Sequence, residues 1–346
     1  MEDSKPPALP IRVGILGSGW VATNRHLLAY QRDHRARVVA IIDRNTARAK
    51  EVAEKYRIPA TYATLNDVDT ALDMVSICTP PQTHCELAVS CLKRGWHVLV
   101  EKPMAMNTVE ADQMIRAQLD SGLKLCVSHN FLFSSSMRKV KKAMANGQIG
   151  EVLSIDILQT TNLRRHLPAW FGVLPGGLFF DEVPHAIYLT HFFVGSVTCR
   201  NVMSLRWESK LQPIRNVAVF LQGVEASAYI NMIFNAGRDE WLVRIVGEKS
   251  TVNVDIFRDK VVLQGEGGNH TPREVLLSSI GAILQETRGT AISGWRWMTK
   301  RLLFGHDILI SDFIDSIVTN SSPPVTAEEG KMVVATVEKI IEEGRI

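Results

Sequence analysis

What this chain has little of narrows its roles first. Among 346 residues there are five cysteines, Cys78, Cys85, Cys91, Cys126 and Cys199, an odd number with no CxxC pair. Such a set offers no metal-ligand pattern. Thiols in apolar surroundings behave as small hydrophobes, which suits a reducing cytoplasm. No apolar stretch reaches the roughly eighteen residues that a membrane span needs. The opening MEDSKPPALP carries acids and adjacent prolines in place of an apolar signal core, so residues 1–10 read as a disordered lead-in. The formal net charge is only +3, with no run of like charges, and no nucleic-acid partner is expected. Gly/Ser linkers and solenoid-length repeats are absent too. What is present is 46% hydrophobic and 22% charged sequence, enough for a sizeable core divided between two domains.

The first domain reads as strands alternating with helices. Ile11 to Leu16 is a strand leading into Gly17-Ser18-Gly19-Trp20-Val21-Ala22, the GxGxxA form of a phosphate-binding turn. Gly17 permits the tight turn, Gly19 lets the backbone approach a pyrophosphate, and Ala22 lets the helix predicted over 20–30 pack on the strand. A second strand, 37–42, ends in Asp43, an acid placed to accept hydrogen bonds from the adenosine ribose and to repel a 2′-phosphate. NAD is therefore favoured, while Arg44 keeps NADP open. A strand over 73–78 closes in Thr79-Pro80-Pro81-Gln82-Thr83-His84, where paired prolines force a turn at the carboxyl edge of the sheet. Thr79 and Pro80 are expected to line the nicotinamide ribose. His84 either reaches the same place or caps the next helix. The following strand, Val98-Leu99-Val100, stops abruptly at Glu101-Lys102-Pro103, where open parallel sheets bind ligands. Asn130 ends a further strand at the same edge.

Three of these motifs, GSGWVA, DMVSICTPPQTH and GWHVLVEKPMA, in this order and at these separations, resemble the glucose-fructose oxidoreductase, inositol dehydrogenase and rhizopine-catabolism group, Gfo/Idh/MocA. The resemblance implies a Rossmann domain, a doubly wound parallel sheet, over 11–130. It further implies an α+β domain with a mostly antiparallel open sheet over 131–306, and terminal helices over 307–346 that return to the Rossmann domain. It gives Lys102 a catalytic role beside the nicotinamide and places Glu101 close to the cofactor. It also implies a homodimer or homotetramer assembled through the second sheet. The arginine commonly found two places beyond Asn130 in the family is Leu132 here.

In the second half, strand-like segments begin at 150–158 and continue over 217–220, 226–234, 241–246, 251–257 and 260–263 without intervening helices, which predicts mostly antiparallel pairing. Between the first and the rest lies Gly176-Gly177-Leu178-Phe179-Phe180-Asp181-Glu182-Val183-Pro184-His185. Asp181 and His185 are four apart and share one face of a helix, where a carboxylate can orient an imidazole as a base. This matches the family's GGxxxDxxxH pattern. Pro184 predicts a helix starting near Asp181 with the proline in its first turn. Tyr188 stands where the family often has a second aspartate. The upstream loop offers Arg164, Arg165, His166 and Trp170 as carbohydrate contacts, and an exposed basic loop explains them as well. Residues 289–305, with Trp295, Trp297, Lys300 and Arg301, read as a covering loop or subunit contact, or as contact with a membrane surface or acidic partner.

The expected activity is hydride transfer between a nicotinamide cofactor and a secondary hydroxyl of a sugar, nucleotide sugar or cyclitol. His185 takes the proton, Lys102 stabilises the oxygen and Asp181 holds the imidazole. The rivals are imine reduction or a redox-neutral cycle on the same cofactor, and a dinucleotide-binding sensor.

Overall fold

The computed structural model describes residues 10–162, 164, 167–207, 212–265, 271–299 and 301–346. The chain forms two compact units: the part through Asn130 with His306–Ala335, and Phe131–Gly305 with Thr336–Ile346.

In the first unit six short strands make a parallel sheet: β1 (Ile11–Leu16), β2 (Ala36–Ile42), β3 (Ala60–Tyr62), β4 (Met74–Ile77), β5 (His97–Val100) and β6 (Leu125–Val127), in the order β3-β2-β1-β4-β5-β6. Strands β4 and β6 are buried at every position, as continuous apolar runs between helical layers must be. The strand order reverses between β1 and β4, the point at which such sheets bind ligands.

Helices α1 (Leu27–Tyr30), α2 (Thr46–Tyr56), α3 (His84–Lys93) and α4 (Thr108–Ser121) connect these strands. Asn45 and Asn107 cap α2 and α4 by accepting the Arg48 and Glu110 amides. The single helix predicted over 20–30 begins as a π-helical turn, Ala22–His26, before α1. The Thr23 hydroxyl donates to Gly19 O and the Asn24 amide to Trp20 O, so local side chains compete with the regular ladder there.

The second unit opens with α5 (Ser135–Ala145) and is built on a seven-stranded sheet: β7 (Val152–Asn162), β8 (Thr198–Arg206), β9 (Ile214–Gln222), β10 (Ser227–Ala236), β11 (Glu240–Gly247), β12 (Ser250–Asp255) and β13 (Lys260–Gly265). The order is β13-β12-β11-β7-β10-β9-β8. All neighbours are antiparallel except β7 and β10. Strand β8 was not among the expected strands. It is a largely exposed edge strand, so it lacks the buried alternation that marks the others. Ile155, Ile157, Ile230, Met232, Trp241 and Val243 point to one face, which helix α6 (Leu178–Val194) covers.

Two expectations need correction. Helix α6 starts at Leu178, ahead of Asp181, and Pro184 lies inside it. Leu178, Phe179 and Phe180 are buried anchors that lengthen the helix, and the Leu178 amide donates to Gln212 Oε1. Pro184 has no N–H to return to the preceding turn, and burial on every side of this apolar helix holds the backbone regardless. The segment read as a loop over 289–305 belongs in large part to a helix, α7 (Pro272–Met298), opened by a capping box of Thr271 and Glu274 with Pro272 in its first turn. Helices α8 (His306–Val318) and α9 (Ala327–Gly344) complete the chain.

Candidate active site

The glycine turn is built for close approach. Gly17 has φ +85°, and a Cβ there would stand 2.9 Å from Thr79 Cγ2 and 3.0 Å from Cys78 O. A Cβ on Gly19 would meet nothing within 4 Å, so that backbone is open. Asp43, at the end of β2, is turned back onto this loop. Its Oδ2 accepts from the Ser18 N–H, the Ser18 hydroxyl and Arg48, each at 2.7 Å, and its Oδ1 accepts from the Asn45 N–H at 2.8 Å. Burial favours its protonated form, but these donors together hold its pKa below the ordinary carboxylate value. Arg44 is exposed, and Arg48 one helical turn later is the guanidinium paired with Asp43. The sequence reading passed over Arg48, although the i,i+3 spacing from its cap Asn45 marks it as pointing back toward β2. Trp20 is 65% exposed beneath the Arg25 guanidinium, and Val21 is half-buried.

Thr79 and Pro80 occupy the turn after β4, where the Thr83 hydroxyl donates to the Thr79 hydroxyl oxygen. His84 does not cap α3, whose cap position is Thr83. The histidine is fully buried as the first residue of α3, its two ring nitrogens each 2.9 Å from a carbonyl oxygen, Pro103 O and Thr79 O. It therefore straps the β4 turn to the β5 turn. Burial pulls its pKa down against those two acceptors.

Glu101 ends β5 and is 6% exposed. Its Oε1 lies 2.7 Å from His26 Nε2 and 3.3 Å from His306 Nε2, and its Oε2 accepts the Lys102 N–H at 3.3 Å. Burial would raise this carboxyl, yet the bonds from His26 and His306 hold it well below the usual range. His26 is pushed down, mainly by burial, and its Nδ1 has no hydrogen-bond partner among the described residues. Neither histidine had been singled out in the sequence; one lies in the π-helical turn and the other opens α8, so no spacing rule links them.

The three ligand atoms lie within 4.8 Å of one another, a donor set of metal-binding type. A metal-bound imidazole almost always donates its other nitrogen to a partner, which His26 Nδ1 lacks, so the cluster fits a hydrogen-bonded ion group better than a metal centre. Lys102 follows directly, half-buried and joined to Pro103 by a cis peptide bond. Asn130 is 3% exposed just past the carboxyl end of β6.

In the second unit His185 sits in an aromatic frame. Its ring stacks on Phe131 at 4.2 Å and meets Trp241 edge-on at 5.6 Å, and its Nδ1 is 2.7 Å from the Tyr188 hydroxyl. That hydroxyl also accepts the Phe131 N–H at 3.1 Å. Tyr188 thus does for the imidazole part of what the sequence assigned to Asp181, holding one ring nitrogen in place. Asp181 is half-buried one turn earlier on α6.

Gln159 on β7 pairs in register with Trp241 on β11, and both are essentially inaccessible to solvent. Among the described residues, Gln159 Oε1 and Trp241 Nε1 have no hydrogen-bond partner. These too were missed: a glutamine amid strand alternation carries no signal until its neighbour across the sheet is known. Arg164 is exposed, its N–H donating to Asn162 Oδ1, and Trp170 stacks on Phe171 at 4.1 Å. Arg165 and His166 lie outside the described residues.

Comparison with known families matches residues 11–129 to the NAD-binding Rossmann-fold domain of the Gfo/Idh/MocA oxidoreductases and residues 141–344 to their C-terminal alpha/beta domain. The chain belongs to this family. As a Gfo/Idh/MocA protein it is an oxidoreductase with an NAD-binding first domain. It is 24% identical over 334 residues to myo-inositol 2-dehydrogenase of Thermotoga maritima, covering 93% of this chain and 92% of that one. D-glucoside 3-dehydrogenase of Escherichia coli is 27% identical over 270 residues, 72% and 76% of the two chains. Among solved structures, the WlbA dehydrogenase of Bordetella pertussis in complex with NADH and UDP-GlcNAcA superposes with a TM-score of 0.80 at 22% identity, covering 97% and 96%. That likeness shows the shared fold.

Proposed function

We propose that this enzyme moves a hydride between NAD and a secondary hydroxyl or keto carbon of a sugar, nucleotide sugar or cyclitol. The observation that carries the reading is the surround of His185. The imidazole lies against the flat face of Phe131, meets Trp241 edge-on and takes the Tyr188 hydroxyl on its Nδ1. A polyol presents apolar ring faces suited to such an aromatic surround and hydroxyls suited to an imidazole. The names of the relatives, an inositol and a glucoside dehydrogenase, point the same way.

Bound NAD supplies the hydride acceptor. In the oxidative direction His185 takes the hydroxyl proton as the hydride leaves the same carbon, while the Lys102 ammonium stabilises negative charge developing on the oxygen. Asp181 favours the charged imidazole, and reduction runs the proton back. Gly17, Ser18, Gly19 and Asp43 hold the dinucleotide, with Thr79, Pro80, Glu101 and Asn130 at the nicotinamide end.

The test is turnover of NAD with a panel of inositols, hexoses and nucleotide sugars, read by the absorbance of the reduced nicotinamide. Lys102→Ala is expected to lose about 10²–10⁴-fold in kcat while NADH affinity holds. Normal turnover by that variant at saturating substrate excludes the mechanism. The outward face of the seven-stranded sheet, with Tyr229 and Met203 more than half exposed along a trough of about 770 Å³ and Leu205 exposed further along β8, is the surface we assign to self-association.

A further inference from the structure

Helix α7 has two faces, and the fold covers only one. Gln285, Gly289, Ile292, Ser293 and Arg296 recur three and four apart and form the side turned to the edge strand β13. The Gln285 amide accepts from Leu263 N–H at 2.9 Å and donates to Leu263 O at 3.1 Å. Gly289 leaves room for the Lys260 side chain, whose Cγ would stand 3.3 Å from a Cβ there. Arg296 pairs with Asp259 at 2.6 Å.

The opposite side carries Leu276, Ile280, Ile283, Leu284, Ala291, Trp295 and Met298 at the same spacings. The large members are between 44% (Ile280) and 77% (Met298) exposed. From Thr271 through Ile280 every residue is exposed. Thr287 interrupts the stripe at its centre, and an exposed apolar stripe of this length marks an interaction site.

Charge decides what covers it. The acids of α7 are engaged away from the stripe: Glu274 accepts the Thr271 N–H in the helix cap, and Glu286 pairs with Lys260 at 2.5 Å. Arg273 and Arg288 border the stripe, and from Val275 through Gln285 there is no charged residue. Just beyond the helix, the Arg301 guanidinium lies 5.0 Å over the Trp295 ring, and Trp297 is 73% exposed beside it. Aliphatic side chains along a stripe, arginines at its border and tryptophans at one end match the acyl boundary, phosphates and interface of a bilayer. Two copies of α7 meeting stripe to stripe would bring their arginines together with no acid to answer them.

We propose that α7 is a peripheral anchor that lies in the surface of an anionic phospholipid bilayer with its Leu276–Met298 stripe in the acyl boundary. No described helix is long and apolar enough to cross a membrane, and lying in the plane requires neither property.

The test is flotation of the full-length protein with vesicles of phosphatidylcholine alone and of phosphatidylcholine with about one-third phosphatidylglycerol, at low and high salt. The wild type is expected to float with the anionic vesicles and to be released by salt. Arg288→Gln is expected to bind about fivefold more weakly. The double variant Ile280→Glu, Leu284→Glu is expected to lose at least about a hundredfold, since two aliphatic anchors leave the lipid. Unchanged thermal unfolding and NADH binding in these surface variants separate the effect from misfolding and from the catalytic reading. Wild-type protein that fails to float at low salt, or a double variant that floats like wild type, overturns the proposal. So does a wild type that fails to float while the double variant splits an oligomer in light scattering, since the stripe then belongs to a second copy.

Discussion

The Glu101 carboxylate and the His26 imidazole meet at 2.7 Å with side chains 8% and 0% exposed, joining the end of β5 to the π-helical turn behind the glycine motif. His306, at the start of α8, shares the same carboxylate oxygen. A charge this deeply placed is tolerated because it is paired, and removing it leaves the imidazoles facing a neutral amide.

Glu101→Gln is accordingly expected to lower the unfolding free energy by about 3 kcal/mol at neutral pH, measured by urea denaturation. The carboxyl is depressed on folding, so its contribution is present above the unfolded carboxyl value and lost as pH falls through the folded one. The difference between variant and wild type should shrink in acid. A gap that stays constant with pH would mean the charge itself is not what matters.

Arg48 pairs with Asp43 at 2.7 Å, and in the proposed reading the Asp43 charge repels a 2′-phosphate while Arg48 becomes a phosphate partner once that charge is gone. Asp43→Asn is expected to raise the affinity for NADPH relative to NADH about tenfold, roughly 1.4 kcal/mol. Adding Arg48→Ala should remove that gain. Fluorescence titration with both reduced cofactors reads the ratio, and an unmoved ratio in Asp43→Asn would remove Asp43 from cofactor selection.

Tyr188→Phe takes away the hydroxyl held between His185 Nδ1 and the Phe131 N–H. With that bond to the ring lost, kcat is expected to fall about tenfold to a hundredfold while NADH affinity holds. The orphaned Phe131 amide should cost about 1–2 kcal/mol of stability. Loss of stability with full kcat would assign Tyr188 to the scaffold alone.

His97 accepts the Lys124 N–H on Nδ1 at 3.0 Å. Burial and then the Lys124 ammonium push its pKa down to about 4, against Asp73. An imidazole depressed on folding takes up its proton first in the unfolded chain, so stability falls as pH drops from about 6.5 towards 4. The loss attributable to His97 is about 3 kcal/mol. His97→Asn, which keeps an acceptor and does not titrate, is expected to flatten that acid limb in thermal unfolding scans, and an unchanged limb would assign it to other groups.

The local parts of this protein were legible in its sequence because they depend on near neighbours. Gly17 needs its positive φ for a tight turn, Val98 to Val100 must be buried, and the run from Gly176 to His185 puts Asp181 and His185 on one helix face. These features, with three motifs in a fixed order, were enough for the family and the two sheet types. Helix α7 was also written there, in the Thr271 and Glu274 cap and the stripe from Leu276, but 289–305 was read by its tryptophans and basic residues, as a covering loop or subunit contact or as contact with a membrane surface or acidic partner, and not by its helical spacing. Tertiary structure alone decided the partnerships between residues far apart in the chain. Arg48 rather than Arg44 meets Asp43, Tyr188 holds His185, Gln159 faces Trp241, and His26 and His306 converge on Glu101. A hydrogen bond needs two groups within about 3 Å, and only the folded backbone sets that distance for residues as far apart as Glu101 and His306.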